Sequence, residues 1–434
     1  MHAESRFRTT LRMAWRLVQV AFSLTWLPLR RLLVWAPRHE GPWKGVAADG
    51  VVDAFEALGP TYVKLGQLIA SSPGLFPAPL SEACRSCLDR VAPVPAADVR
   101  RVVEEDLGAP ADALFARFED EPLAAASTAQ VHAVVLLDGD EAVVKVQRPG
   151  IAAVMTTDLR ILHGAARLAA RTKRAKAMNP VGIVEDLQRV TTQELDLERE
   201  ARQQIAFTDS LHHFGDNQGT TAPEVIPELC GPRVLCMERV RGRPFDRLGD
   251  VDEELGQRLL AAAVKPWIEA ACLHGPFHGD VHAGNLWVLD DGRVCFLDFG
   301  ITGELEPGWQ RLFTVLLGVF TDPDGDFAPL AQALMDVQAI PAEAGSAEDV
   351  GPILAGVIGP LIDQDLAELS LAETLRSSVQ VFESFGATVP TELVLVLKQL
   401  LYFERYAKDL APGWTIARDA SLSANVQAAA RSRA

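Results

Sequence analysis

The chain has 434 residues, 48% hydrophobic and 23% charged, which excludes a disordered chain and allows one large two-lobed domain. Its formal net charge of −17 excludes a nucleic-acid binder that works through a basic face, although backbone N–H groups, a few lysines and metal ions can still hold phosphates. The six cysteines form no disulfide scaffold and point to a reducing compartment; Cys84 and Cys87 make a CxxC, but no second pair or nearby histidine completes a zinc site.

Residues 1–40 carry seven arginines, at 6, 8, 12, 16, 30, 31 and 38, against only Glu4 and Glu40. Leu11, Trp15, Val18, Phe22 and Trp26 recur at helical spacing, with Arg12, Arg16, Gln19 and Ser23 on the other side. This predicts a basic amphipathic helix lying on an anionic membrane surface. Pro28 is expected to interrupt it. The most apolar stretch, 17–29, reads as too short and too polar to span a bilayer, and it lacks a small-residue cleavage site. Peripheral attachment at the cytoplasmic face of a cell membrane is therefore expected.

Residues 1–45 read as that segment with a linker at 37–42. Residues 46–95 read as a helical extension: a helix over 51–72 broken at Pro73, a Pro-rich break at 75–79, and a helix over 81–91. Residues 96–242 read as a small β-containing lobe. It has a short helix at 97–107, a hairpin whose strands at 134–137 and 142–144 turn at Asp138-Gly139, long helices over 158–174 and 183–210, and a strand at 234–237. A hinge loop, Arg241-Gly242-Arg243-Pro244, leads into a mostly helical lobe over 243–420. Its one β-pair, 286–289 with 294–297, turns at Asp290-Asp291-Gly292. Residues 421–434 read as a loose tail. The fold class is α+β, two-lobed.

The chemistry concentrates in Phe277-His278-Gly279-Asp280-Val281-His282-Ala283-Gly284-Asn285, followed by Leu297-Asp298-Phe299-Gly300. Phosphoryl transfer needs a carboxylate to place or deprotonate the nucleophile, and oxygen ligands for Mg²⁺ bridging the phosphates. Asp280 lies two residues after His278 and five before Asn285, the spacing of a kinase catalytic loop. Asp298 follows Asn285 by thirteen residues across a hairpin, as a DFG aspartate does. Asp280 is thus the catalytic candidate, and Asn285 and Asp298 are the metal ligands.

Upstream, Ala142-Val143-Val144-Lys145-Val146 has the form of the V-A-I-K strand, whose lysine holds the α- and β-phosphates. No G-x-G-x-x-G precedes it. In its place stands Leu123-Ala124-Ala125-Ala126-Ser127-Thr128-Ala129-Gln130-Val131. Alanine lets backbone approach phosphate less freely than glycine does, and Ser127 and Thr128 add hydroxyls. That loop, Lys145, and Glu238 and Val240 beside the hinge are the expected ATP contacts. A lysine in this role needs a helix glutamate; Glu194, Asp196, Glu198 and Glu200 follow, where acids could equally be a solvated face. No A-P-E follows Asp298-Phe299-Gly300, so the usual peptide-substrate activation segment is missing.

Taken together these motifs resemble the UbiB/AarF atypical kinase-like family. Leu58-Gly59-Pro60-Thr61-Tyr62-Val63-Lys64-Leu65-Gly66-Gln67 looks like its KxGQ helix, Ala124-Ala125-Ala126-Ser127 like its Ala-rich loop, Glu194-Leu195-Asp196 like its ExD motif, and the His278-to-Asn285 run like its H-A-D-P-H-P-G-N. The likeness covers about residues 51–414, and KxGQ and ExD are not shared with ordinary kinases. It implies a KxGQ helix folded over the cleft, excluding protein substrates, with Lys64 and Gln67 inward and Glu194 and Asp196 meeting that helix or the metal. It implies a Glu200–Lys145 pair, and ATP and Mg²⁺ as cofactors. The activity implied is ATP hydrolysis, or phosphorylation of a small or lipid-like substrate, in support of quinone metabolism. Lipid-like precursors or quinone-biosynthesis proteins are the implied partners. Val281 and Ala283 replace the family's two prolines and Gly279 an alanine, giving H-G-D-x-H-x-x-N, which also matches aminoglycoside- and choline-type kinases. The family's two C-terminal transmembrane helices have no counterpart after Trp414, and the N-terminal helix is expected to take their place. Two alternatives stay open: a small-molecule phosphotransferase, against which the KxGQ helix speaks, and a nucleotide-sensing scaffold without turnover, against which the four retained site residues speak.

Overall fold

The computed structural model describes residues 2–36, 42–70, 76–87, 92–172, 179–249, 251–321, 325–363, 391–414 and 419–433. The expected linker at 37–42, the break at Pro73 and the end of the helix over 81–91 fall largely outside them.

Helix α1 (His2–Trp35) does not end at Pro28, which lies inside it. The proline is packed against α2 (Trp43–Leu58), whose Gly50 is so close that a Cβ there would collide with the Pro28 backbone. As a result Met13–Trp35 forms 23 residues long and apolar enough to cross a membrane by length and composition, which supersedes the limit drawn at 17–29. The helix is turned polar side in. Arg16 donates to both carboxylate oxygens of Asp158, at 2.7 and 2.8 Å, and to the Leu58 carbonyl at 2.5 Å, while Arg31 chelates Asp53. Trp15, Val18, Phe22, Trp26, Leu29 and Leu33 are left exposed along the outer side.

The helix predicted over 51–72 is two helices, because Gly59 adopts φ 96° and Pro60 restarts the chain as the first residue of α3 (Pro60–Ala70). Next come α4 (Ala78–Cys84), α5 (Ala96–Leu107) and α6 (Ala111–Leu114). Cys84 and Cys87 are free and buried under α3, and burial pushes the Cys87 thiol up to about 12, so both act as small core residues. Strands β1 (Arg117–Ala125), β2 (Ala129–Val135) and β3 (Glu141–Gln147) follow, with β2 and β3 antiparallel from Ala129↔Gln147 to Val135↔Glu141. The predicted hairpin is present. β1 was not foreseen, since charges and Pro122 break its alternation, and its pairing with β2 is irregular at Pro122.

Helix α7 (Ile151–Ala169) precedes α8 (Pro180–Glu194) and α9 (Leu197–Leu211). The last two replace the single helix predicted over 183–210, because Asp196 accepts a hydrogen bond from the Arg199 N–H at 2.8 Å and starts a new helix. Strands β4 (Thr220–Thr221), β5 (Val234–Glu238) and β6 (Gly242–Pro244) lead to α10 (Glu253–Glu269). Beyond it lie β7 (Phe277–His278), β8 (Leu286–Leu289), β9 (Val294–Phe296), β10 (Thr302–Gly303), α11 (Pro307–Thr321), α12 (Ala328–Asp336), α13 (Ala347–Asp363), α14 (Thr391–Leu410) and α15 (Ala420–Arg433).

The chain divides into two units. The first is Met1–Arg199 with Ile226–Met237; the second is Glu200–Val225 with Glu238–Ala434. The predicted lobe boundary at 242/243 thus moves to 237/238, and Glu200–Val225, read as part of the small lobe, belongs to the helical one. The first unit has a sheet in the order β1-β2-β3-β5, covered by Val99, Val102 and Val103 of α5. Its second core joins Phe55, Tyr62, Ile69, Cys84 and Cys87. The second unit packs around Trp267, Phe277, Phe296, Phe299 and Phe403, with β4-β9-β8-β6 and the β7–β10 pair beside them. The tail predicted to be loose is α15. Its alanines favour helix, Leu422 and Val426 are buried, and Asn425 donates to Glu269 at 2.7 Å.

Candidate active site

In the second unit, the β7–β10 pair sets His278 opposite Thr302, and the Gly279 N–H donates to the Ile301 carbonyl at 2.9 Å. A Cβ on Gly279 would crowd Ile301 and Leu395, which accounts for glycine there. His278 is fully buried. Its Nδ1 accepts from the Asp280 N–H at 3.1 Å and its Nε2 lies 2.9 Å from the Leu297 carbonyl. Those partners require a neutral ring with the proton on Nε2. Burial pushes the imidazole below its ordinary value, against the opposing pull of Asp280 and Asp298. One ring therefore ties the backbone of Asp280 to the residue before Asp298.

Asn285 makes the second tie. Its amide NH₂ donates to the Asp280 carbonyl at 3.0 Å and its own carbonyl accepts from the Leu297 N–H at 2.8 Å. With the nitrogen end so fixed, Oδ1 is the end left for a ligand. Asp298 adopts φ 60°, and its exposed carboxylate accepts from the Gly300 N–H at 3.2 Å. Phe299 is buried against Phe207 and His278, at ring separations of 5.1 and 4.9 Å, which holds that turn. Glu200 Oε2 borders Gly300 from α9. Asn285 Oδ1 and the Asp298 carboxylate form an all-oxygen donor set, and Mg²⁺ bound mainly through phosphates needs only one or two such protein ligands. The residues present fit that metal.

Asp280 itself is not free. Its Oδ1 accepts from Lys398 Nζ at 2.8 Å, and its Oδ2 lies 3.6 Å from His282 Nε2. Gln399, fully buried, accepts from the Val281 N–H at 2.9 Å and donates to the Gly279 carbonyl at 2.7 Å. Tyr406 donates to the Val281 carbonyl at 3.0 Å. Lys398, Gln399 and Tyr406 escaped the sequence reading, since they lie on α14, with Lys398 118 residues beyond Asp280.

In the first unit, Lys145 lies on β3 opposite Val131, on the face away from the core that holds Val144 and Val146. The alanine-rich loop is the β1–β2 turn: Ala124 and Ala125 end β1, the Ala126 N–H donates to the Ala129 carbonyl at 2.9 Å, and Ala129 to Val131 begin β2. The Ser127 hydroxyl is buried without a hydrogen-bond partner, and Thr128 is buried beside it. An orphaned hydroxyl in this turn suits a phosphate acceptor. Leu123 is exposed. Gln130 holds the backbone of Val94 through its buried amide. In the second unit, Glu238 is likewise held by the Glu224 backbone, through N–H donation at 2.7 Å and a carboxylate contact at 3.2 Å; Val240 is half-buried.

Lys64 is 8% exposed and meets both oxygens of Glu194, at 2.7 and 2.5 Å. This joins α3 to the end of α8. Gln67 follows on the same helix, half-buried. Asp196 caps α9 rather than reaching α3. Glu194 and Glu200 sit on separate helices, so helical spacing does not relate them.

The sequence profile of the ABC1 atypical kinase-like domain matches residues 86–327, and that of the UbiB helical domain matches 354–415. The chain belongs to the ABC1 atypical kinase-like family. An uncharacterized protein of Mycobacterium tuberculosis is 38% identical over 389 residues, covering 89% of this chain and 79% of the relative. A probable protein kinase UbiB of Azotobacter vinelandii is 34% identical, covering 84% and 69%. Among solved structures, a Mycobacterium tuberculosis protein in complex with erythromycin superposes with a TM-score of 0.52 at 22% identity, covering 83% of this chain and 90% of that one; this likeness concerns the fold. The α+β kinase-like class read from the motifs stands, and α14 falls within the stretch 354–415 that matches the UbiB helical domain.

Proposed function

We propose that the chain is a Mg²⁺-dependent ATPase or phosphotransferase acting on a small or lipid-like hydroxyl acceptor at a membrane, in support of quinone biosynthesis. The observation that carries this is the double tie, through His278 and Asn285, that fixes Asp280 and Asp298 in one rigid centre. Asp280 is the proton acceptor: the acceptor hydroxyl gives it a proton as its oxygen bonds to the γ-phosphorus. The bond from that phosphorus to the bridging oxygen breaks, and its electron pair leaves with ADP. With water as acceptor the same step yields inorganic phosphate. Asn285 Oδ1 and Asp298 would hold Mg²⁺, which supplies positive charge to the β- and γ-phosphates. Lys145 and the Ser127 hydroxyl, both in the first unit, are of the chemistry that holds phosphate oxygens. The Lys64–Glu194 pair pins the KxGQ helix to α8 within the first unit. The exposed apolar side of α1 supports membrane attachment, and the likeness to UbiB relatives supports the quinone assignment.

The deciding measurement is phosphate release by the full chain with Mg²⁺ and ATP, with and without anionic vesicles and alkylated phenols. Turnover that rises with vesicles or phenol is expected. Nucleotide binding without hydrolysis or transfer under any of these conditions would overturn the proposal in favour of a nucleotide-sensing scaffold.

A further inference from the structure

Asp280 Oδ1 is bonded to the Lys398 ammonium at 2.8 Å, with the lysine side chain 45% exposed and the aspartate 20%. The same ammonium lies 5.7 Å from the centre of the Tyr402 ring. The next residue, Gln399, is buried and clasps the backbone on both sides of Asp280 through the Val281 N–H and the Gly279 carbonyl. The root of the lysine is thus locked to the loop it serves, and the contact is not a chance meeting of two surface chains. Residues 277–285 contain no lysine or arginine. Their two imidazoles are His278, which burial keeps neutral, and His282, 3.6 Å from the other Asp280 oxygen. Lys398 therefore brings an ammonium to the proton-accepting carboxylate, and it arrives from a helix far along the chain.

We infer that Lys398 is a positioning residue of phosphoryl transfer: it occupies Asp280 Oδ1, fixes the carboxylate in one orientation and leaves Oδ2 toward the nucleophile. Helix α14 thereby completes a centre that the catalytic-loop motif alone leaves unfinished. This rests on the phosphotransfer reading above. A half-exposed ion pair contributes little to stability, so a catalytic effect separates cleanly from a folding effect.

The test compares Lys398→Ala and Lys398→Arg in the full chain, by steady-state turnover of Mg²⁺-ATP and by thermal melts. Lys398→Ala is expected to lower kcat by roughly 10²-fold. Its KM for ATP should stay within about threefold, and its melting temperature within about 2 °C. Lys398→Arg should recover a large part of the rate, and ethylammonium in the buffer should raise the rate of Lys398→Ala but not that of Asp280→Asn. A Lys398→Ala chain with wild-type kcat would overturn the inference alone. So would a rate loss that arginine fails to restore and that parallels a fall in melting temperature. A wild-type chain that binds Mg²⁺-ATP without turnover would remove the phosphotransfer reading and this inference with it.

Discussion

Asp298 presents its carboxylate from a left-handed backbone conformation, φ 60°, held by the buried Phe299 on one side and by its own bond to the Gly300 N–H on the other. Non-glycine residues adopt that conformation at some cost, and aspartate tolerates it better than most. Asparagine tolerates it as well, so Asp298→Asn removes the charge and keeps the turn. Mg²⁺-ATP should raise the melting temperature of the wild-type chain and leave that of Asp298→Asn unchanged, because ligand stabilisation vanishes with metal affinity. An equal shift in both would take Asp298 out of the metal site. On the proposed function, in which Asp280 serves the nucleophile, Asp280→Asn should keep the nucleotide-induced shift and lose roughly 10²-fold or more in kcat. The clustering of Asp280, Asn285 and Asp298 was legible in the sequence because their spacing is dictated by one loop and one hairpin, both local. The partners of Asp280 were not legible, because Lys398 and Gln399 reach it only through tertiary packing.

His278 adds a pH dependence at the same scale. Its imidazole is pushed down by burial, as is that of His132, which is buried between Gln130 and the Glu119 carbonyl. The unfolded chain takes up protons on both rings as pH drops below about 6.5, whereas the folded chain does so only at lower pH. Their contribution to stability is thus complete above that range and is lost as pH falls through it. Urea melts at pH 8 and pH 5.5 should show lower stability at the acid end. His278→Asn should lessen the difference; an identical difference in the variant would remove His278 as a source.

Among the elements, α14 holds Asp280 in the second unit, and α3 is held to α8 in the first. The Lys64–Glu194 pair joins α3 to α8 with both ends largely sheltered. Removing one partner takes a close counter-charge from a largely sheltered group, so Lys64→Met or Glu194→Leu alone should cost on the order of 3 kcal/mol, and the two together should cost less than the sum of the single changes. Denaturant melts of the cycle measure this, and additive single effects would mean the two side chains do not couple. The KxGQ and ExD motifs announced Lys64 and Glu194, but not the helix break that follows: a cap at Asp196 separates Glu194 on α8 from Glu200 on α9. Strand β1 was hidden for a related reason: Asp120, Glu121 and Pro122 on a sheet edge erase the alternation by which a strand is recognised.

At the scale of the whole chain, an excess of acid coexists with an arginine-rich first helix, and the structure changes how that helix should meet a membrane. Counting arginines suggests binding driven by anionic lipid. Yet Arg16 is engaged by Asp158 and Leu58, and Arg31 by Asp53, both on the inner side of α1. The outer side offers Trp15, Val18, Phe22, Trp26, Leu29 and Leu33 instead. Burying an aromatic or large aliphatic side chain contributes about 1.5–3 kcal/mol, more than the roughly 1 kcal/mol of an arginine near an anionic surface, which salt also screens. Apolar contact should therefore dominate. Deleting α1 would be a poor test, because it strands Asp158 in the first unit without Arg16. Serine at Trp15, Phe22 and Trp26 keeps both arginine contacts and removes only the outer rings. The triple variant should melt like the wild type yet lose most co-sedimentation with vesicles, whereas raising salt to about 0.5 M should weaken wild-type binding only in part. Full release of the wild type by salt, with the triple variant still bound at low salt, would mean that the remaining charges and not this apolar face hold the chain to the membrane.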